Sequence, residues 1–135
     1  MNITVETVPA RVPVTVVRLA GALDGSNYRD LIARGQALFA EGARALLLDL
    51  TELTYISSAG LASLHQLALR FGGAEAPDPE EAGWRALREM SETTAPQSHV
   101  KLLNPQPRVN DVLVRSGLKP FFEVHADREA ALQSF

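Results

Sequence analysis

The sequence predicts an α/β fold, a mixed sheet of about five strands with four helices packed on it. Three observations predict this class. Strand-length apolar runs alternate with stretches of helical spacing, in the order β-β-α-β-α, then β-α-β-α after a hydrophilic passage. The run Leu46-Leu47-Leu48-Asp49-Leu50 is interrupted only by Asp49, the pattern of a strand covered on both faces of its sheet. Cap and turn residues stand at the joints that parallel crossovers need.

Residues 2–8 alternate Ile3 and Val5 with Thr4 and Glu6, which reads as a half-buried strand. Pro9-Ala10-Arg11 is a turn. Val14, Val16, Val17 and Leu19 form a more buried strand, so residues 2–20 make an edge hairpin. Residues 21–27 read as a loop that offers Ser26 or Asn27 as a helix cap. Tyr28, Leu31, Ile32, Gly35, Leu38 and Phe39 then share one face of a helix of about four turns, closed by Gly42. A glycine on that apolar face costs about 1 kcal/mol of helix stability, so Gly35 implies a close approach to the sheet.

A strand over 44–50 follows, with a turn at 51–56 and a helix at 58–71 capped by Ser57 or Ser58. Residues 72–97 are hydrophilic, with Gly72-Gly73, three prolines and a cluster of acids. Their spacing predicts one short helix at 80–91, where Trp84 and Leu87 share a face. A connection this long is unusual in a compact domain, so the segment reads as an insertion. Val100, Leu102 and Leu103 make the next strand. Pro107 opens a helix, with Val109, Val112 and Leu113 on one face and Gly117 at its end. Phe121, Phe122 and Val124 read as a short strand, and Asp127 caps a last helix.

At 135 residues the chain is expected to be one domain, 1–135. It has no cysteine, which excludes disulfides and thiolate metal sites and fits a reducing cytoplasm. A net charge of −3 with both signs interspersed does not point to nucleic acid. No apolar run approaches the roughly 18 residues of a membrane span. The expected location is cytoplasmic.

Ile56-Ser57-Ser58-Ala59-Gly60 contains the second half of the nucleophile elbow of serine hydrolases, but Ile56 stands where the first glycine belongs. The candidate bases His65, His99 and His125 are far apart in sequence, and only Asp111 and His125 follow the hydrolase order. No phosphate-binding glycine loop with its lysine is present, nor a dinucleotide fingerprint. Three separated histidines make no transition-metal set. No cofactor or metal is expected, and the chain does not read as an enzyme. The serine pair remains as a substrate for another protein's chemistry, beside the helix dipole and its free N–H groups. Tyr55 and Ile56, large and apolar beside the cap, read as a contact surface, and Ala59 and Gly60 leave the helix start bare.

The stretch Leu48-Asp49-Leu50-Thr51, with Leu53 and then Tyr55-Ile56-Ser57-Ser58-Ala59-Gly60-Leu61, resembles the signature of STAS domains, in particular bacterial anti-sigma-factor antagonists. Gly21, Leu23 and Asp24 resemble the family's loop after the second strand. Leu103-Asn104-Pro105, Pro107, Val109 and Gly117-Leu118 resemble its last strand and third helix. The resemblance implies a partner switch. The unphosphorylated form binds an anti-sigma factor that is also a serine kinase, phosphorylation of one serine releases it, and a PP2C-type phosphatase resets it. It implies Ser58 as phosphoacceptor, with Ser57 as the alternative, since Ser57 stands where many members carry Asp. Asp24, Asn27, Tyr55, Ile56, Ser57, Ala59, Gly60 and Leu61 are the implied partner-binding positions. STAS domains also serve as adaptors in other signalling and lipid-transport assemblies, which is the alternative role.

Overall fold

The structure, a computed structural model, describes residues 1–72 and 97–135. Five strands lie in the order β1-β2-β3-β4-β5. They are β1 (Asn2–Pro9), β2 (Pro13–Leu23), β3 (Leu46–Ile56), β4 (Val100–Leu103) and β5 (Val124–His125). β1 pairs antiparallel with β2, and every other pair is parallel. The helices are α1 (Tyr28–Ala40), α2 (Ser58–Phe71), α3 (Pro107–Arg115) and α4 (Arg128–Gln133). The expected mixed sheet with four helices and an edge hairpin is the fold observed. The helix expected at 80–91 lies outside the described residues.

Strand alternation divides the core in two. Leu46, Leu48 and Leu50 face α1, α2 and α3 in the larger cluster. Val14, Val16, Leu47 and Leu103 face the other way and are covered by Ala131 and Leu132 of α4. Asp49 also points to this second side. It is only 4% exposed, sits 3.5 Å from the Arg18 guanidinium and accepts hydrogen bonds from the Thr51 N–H and hydroxyl. Its charge is therefore paired and its oxygens occupied, as burial of a carboxylate requires. Lys101 is the other buried charge on that side among the described residues. Its ammonium pairs with Glu123 at 3.0 Å and donates to the Ser134 carbonyl and hydroxyl at 2.9 and 3.0 Å.

Four expectations are corrected. Residues 51–56 are not a turn, because β3 runs on to Ile56. β2 likewise runs through the expected loop to Leu23, and irregularities after Arg18 and after Gly21 keep the two strands paired, with Ala22 opposite Tyr55 and Leu23 opposite Ile56. Gly21 takes a φ of +100° there, a conformation that favours glycine. Gly35 approaches a helix and not the sheet: a Cβ at that position would fall 2.0 Å from Leu67 of α2. Phe121 and Phe122 are not in a strand. Pro120 lies in a 3-10 turn, Lys119–Phe121, that drives both rings into the larger core and leaves β5 two residues long.

Candidate functional site

The serine pair stands at the corner between β3 and α2. Ser57 is extended, with φ −95° and ψ 177°, and its N–H donates to the Leu23 carbonyl at 2.9 Å. Its hydroxyl accepts from the Gly60 N–H at 3.2 Å, so Ser57 is the N-cap and Ser58 the first helical residue. The Ser58 side chain is half-buried, and among the described residues its hydroxyl makes no hydrogen bond. Of the two oxygens, one completes the helix and the other is open.

Gly60 explains how the two strand ends and the helix meet so closely. A Cβ there would lie 2.7 Å from Ile56 and 2.8 Å from the Leu23 carbonyl oxygen. Only glycine lets the first turn of α2 rest on the end of β2. The chain leaving β2 is therefore held beside the serines. Its loop is tied internally: the Ser26 N–H and hydroxyl both donate to Asp24 Oδ1, at 2.9 and 2.6 Å. Those two bonds hold the Asp24 carboxyl below the usual carboxylate range, so it is charged at neutral pH. Asn27 is the N-cap position of α1, but its side chain turns back. Its Oδ1 accepts from the Asp24 N–H and its Nδ2 donates to the Ala22 carbonyl.

The residues expected at a partner surface separate into two groups. Tyr55 is 45% exposed, and Asp24, Asn27, Ser57, Ser58 and Ala59 are half-buried on the same corner. Ile56, Gly60 and Leu61 do not face outward. Ile56 is 2% and Leu61 4% exposed, and the Gly60 surface is taken up by Leu23 and Ile56. The reason is the strand. With 51–56 extended and not turned, Tyr55 and Ile56 point to opposite faces. Exposed Thr54, absent from the sequence-based set, stands beside Tyr55 and donates to the Gly21 carbonyl at 3.1 Å. Strict alternation would place it on the face of Ile56; the irregularity after Leu53 exposes Thr54 and Tyr55 together.

The histidines do not assemble a hydrolase around the serines. His65 is two turns along α2, its ring 5.1 Å from that of Phe121. His125 pairs with Glu123 at 2.7 Å, and Asp111 pairs with Arg115 at 3.1 Å. His99 precedes β4, at the opposite end of the parallel strands from Ser58. Burial pushes the His65 imidazole down to about 4.

A family model described as Mlab, STAS domain, matches residues 7–77, just over half of the chain and the whole of the β2-to-α2 corner. The chain belongs to the STAS-domain family. This STAS domain is 31% identical over 117 residues to BtrV of Bordetella bronchiseptica, a protein proposed to be an anti-sigma factor antagonist, covering 87% of this chain and 82% of that one. In fold it resembles the anti-sigma factor antagonist SpoIIAA in its unphosphorylated form, with TM-score 0.60, 23% identity and coverage of 96% and 92%. It also resembles an anti-sigma factor antagonist from Mycobacterium paratuberculosis, with TM-score 0.63, 18% identity and coverage of 97% and 92%.

Proposed function

We propose that this STAS domain is an anti-sigma-factor antagonist working in a partner switch. Unphosphorylated, it binds an anti-sigma factor that is also a serine kinase. Phosphorylation at Ser58 releases it, and a PP2C-type phosphatase restores the binding form. It acts in the cytoplasm and needs no cofactor, and its serines receive chemistry without performing it. The relation to BtrV supports the regulatory role. The observation that carries the site is the division of labour between the hydroxyls: Ser57 is spent on the Gly60 N–H, whereas Ser58 is open.

The energetics need no change of fold. A standard protein interface buries about 1,200–2,000 Å² in total. The corner formed by Asp24, Thr54, Tyr55, Ser58 and Ala59 supplies the centre of one side. A phosphate on Ser58 adds a charge of about −1.5 to −2 at neutral pH. In water the N–H groups and dipole of α2 tolerate that charge. Against a partner it must be desolvated, at a cost of several kcal/mol, close to the Asp24 carboxylate. Each 1.4 kcal/mol is about tenfold in affinity. The modification is therefore enough to dissociate the complex.

Incubation with the cognate kinase and ATP, followed by peptide mass mapping, tests the reading. The account expects one phosphate, on Ser58, and no modification in Ser58→Ala. Phosphate on Ser57 alone contradicts the assignment. Membership of the STAS-domain family leaves a second reading, an adaptor in another signalling or lipid-transport assembly. A protein that takes no phosphate at either serine while binding its partner belongs to that class.

A further inference from the structure

At the end of the sheet opposite Ser58 lies a cleft of about 650 Å³. It opens where β2 and β3 begin, bordered by the loop after α1 and by the last two residues, 134 and 135. Val12, Pro13, Leu38, Ala45 and Phe135 give it mostly apolar walls. Its size lies within the ~300–1,000 Å³ typical of small-molecule sites.

Both sides are held open by polar contacts. On one side, the buried Lys101 ammonium grips the Ser134 carbonyl and hydroxyl and stands 4.7 Å from the Phe135 ring. On the other, the Arg44 guanidinium stacks 3.8 Å over Phe39 and donates to the Phe39 and Ala43 carbonyls at 2.9 and 2.8 Å. These contacts fix the two walls of the cleft relative to the sheet.

Thr15 gives the cleft a chemical character. It is only 6% exposed and lines the cleft, yet among the described residues its hydroxyl makes no hydrogen bond. The hydroxyl is not an orphaned buried atom, so it opens to solvent in the cleft and can take a partner there. Ser98 and His99 add polar groups at the rim. Charge narrows the class further. Arg44 and Glu41 both line the cleft, one cation and one anion. Their charges balance, so an uncharged occupant suits the cleft better than an ion of either sign.

We propose that this cleft is a second binding site, for an uncharged, largely apolar small molecule with one hydrogen-bonding group that reaches Thr15. It lies apart from the serine corner, so its occupation and the partner switch are independent claims.

A matched pair of fluorescent probes tests it. N-phenyl-1-naphthylamine is neutral, with one N–H on an aromatic body; 8-anilinonaphthalene-1-sulfonate is the same skeleton with a sulfonate. Fluorescence titration of the full chain is expected to show saturable one-site binding of the neutral probe, at least tenfold tighter than the anion. Ala43→Phe, which fills the cleft, and Val12→Trp, which covers its exposed lip, are each expected to weaken the neutral probe at least fivefold, with thermal melting verifying that each variant folds. Thr15→Val is expected to weaken it severalfold, and Ser58→Asp to leave it unchanged. The proposal is overturned if the neutral probe fails to saturate, if a folded Ala43→Phe or Val12→Trp binds it as the parent does, or if the anion binds equally well.

Discussion

At the scale of single residues, two neighbouring serines divide one task. Ser57 closes the helix and Ser58 stays open. Removing the cap in Ser57→Ala is expected to cost about 1 kcal/mol, within the 0.5–2 range of such losses, while Ser57→Asp keeps an acceptor for the Gly60 N–H and holds most of that stability. Urea denaturation of the three proteins measures the difference. His65 supplies a pH dependence. Its ordinary value is 6.5, and burial pushes it down to about 4 in the folded chain. Between those values the unfolded chain binds the extra proton, so stability rises with pH. The His65 contribution is complete above about pH 6.5 and is lost as pH falls through about 4. Denaturation at a series of pH values should show a shallower acid slope in His65→Leu than in the parent. Equal slopes in the two would remove His65 from the account.

At the scale of elements, the β2–β3 pair decides what the site presents. Alternation and capping made five strands and four helices legible, including Pro107 at the start of α3 and the Asp127 cap of α4. The run 51–56 was not legible as a strand. Its threonines and glutamate read as polar turn residues, whereas pairing with β2 keeps it extended, with an extra β3 residue taken up at each of the two irregularities. That one misreading accounts for the misplacement of Ile56: with an extra residue at each irregularity, Leu50, Leu53 and Ile56 all reach the larger core, while Thr51, Glu52, Thr54 and Tyr55 stay exposed. The contact of Gly35 with Leu67 was hidden for a related reason: spacing shows that a helix face is buried, not what lies against it. Gly60 makes the most sensitive joint. In Gly60→Ala the new methyl meets a backbone carbonyl as well as the Ile56 side chain. It should destabilise the fold by about 1–3 kcal/mol, the range for an overpacked core. Thermal melting would contradict this by showing an unchanged midpoint.

At the scale of the whole molecule, the two ends of the sheet have separate characters. One end gathers strand tips, a helix start and a charged loop around an accessible hydroxyl. The other carries an apolar cleft framed by Lys101 and Arg44. Between them runs a core covered on both faces. The resemblance legible in the sequence extended to the family and to the serine corner. It could not separate inward from outward side chains there, because that depends on strand pairing thirty residues away. The central claim concerns binding, and calorimetric titration of the parent, Ser58→Ala and Ser58→Asp against the cognate anti-sigma factor tests it most directly. The account predicts parent-like affinity for Ser58→Ala and a loss of well over tenfold for Ser58→Asp. Equal affinity of all three, with each variant folded, would contradict it.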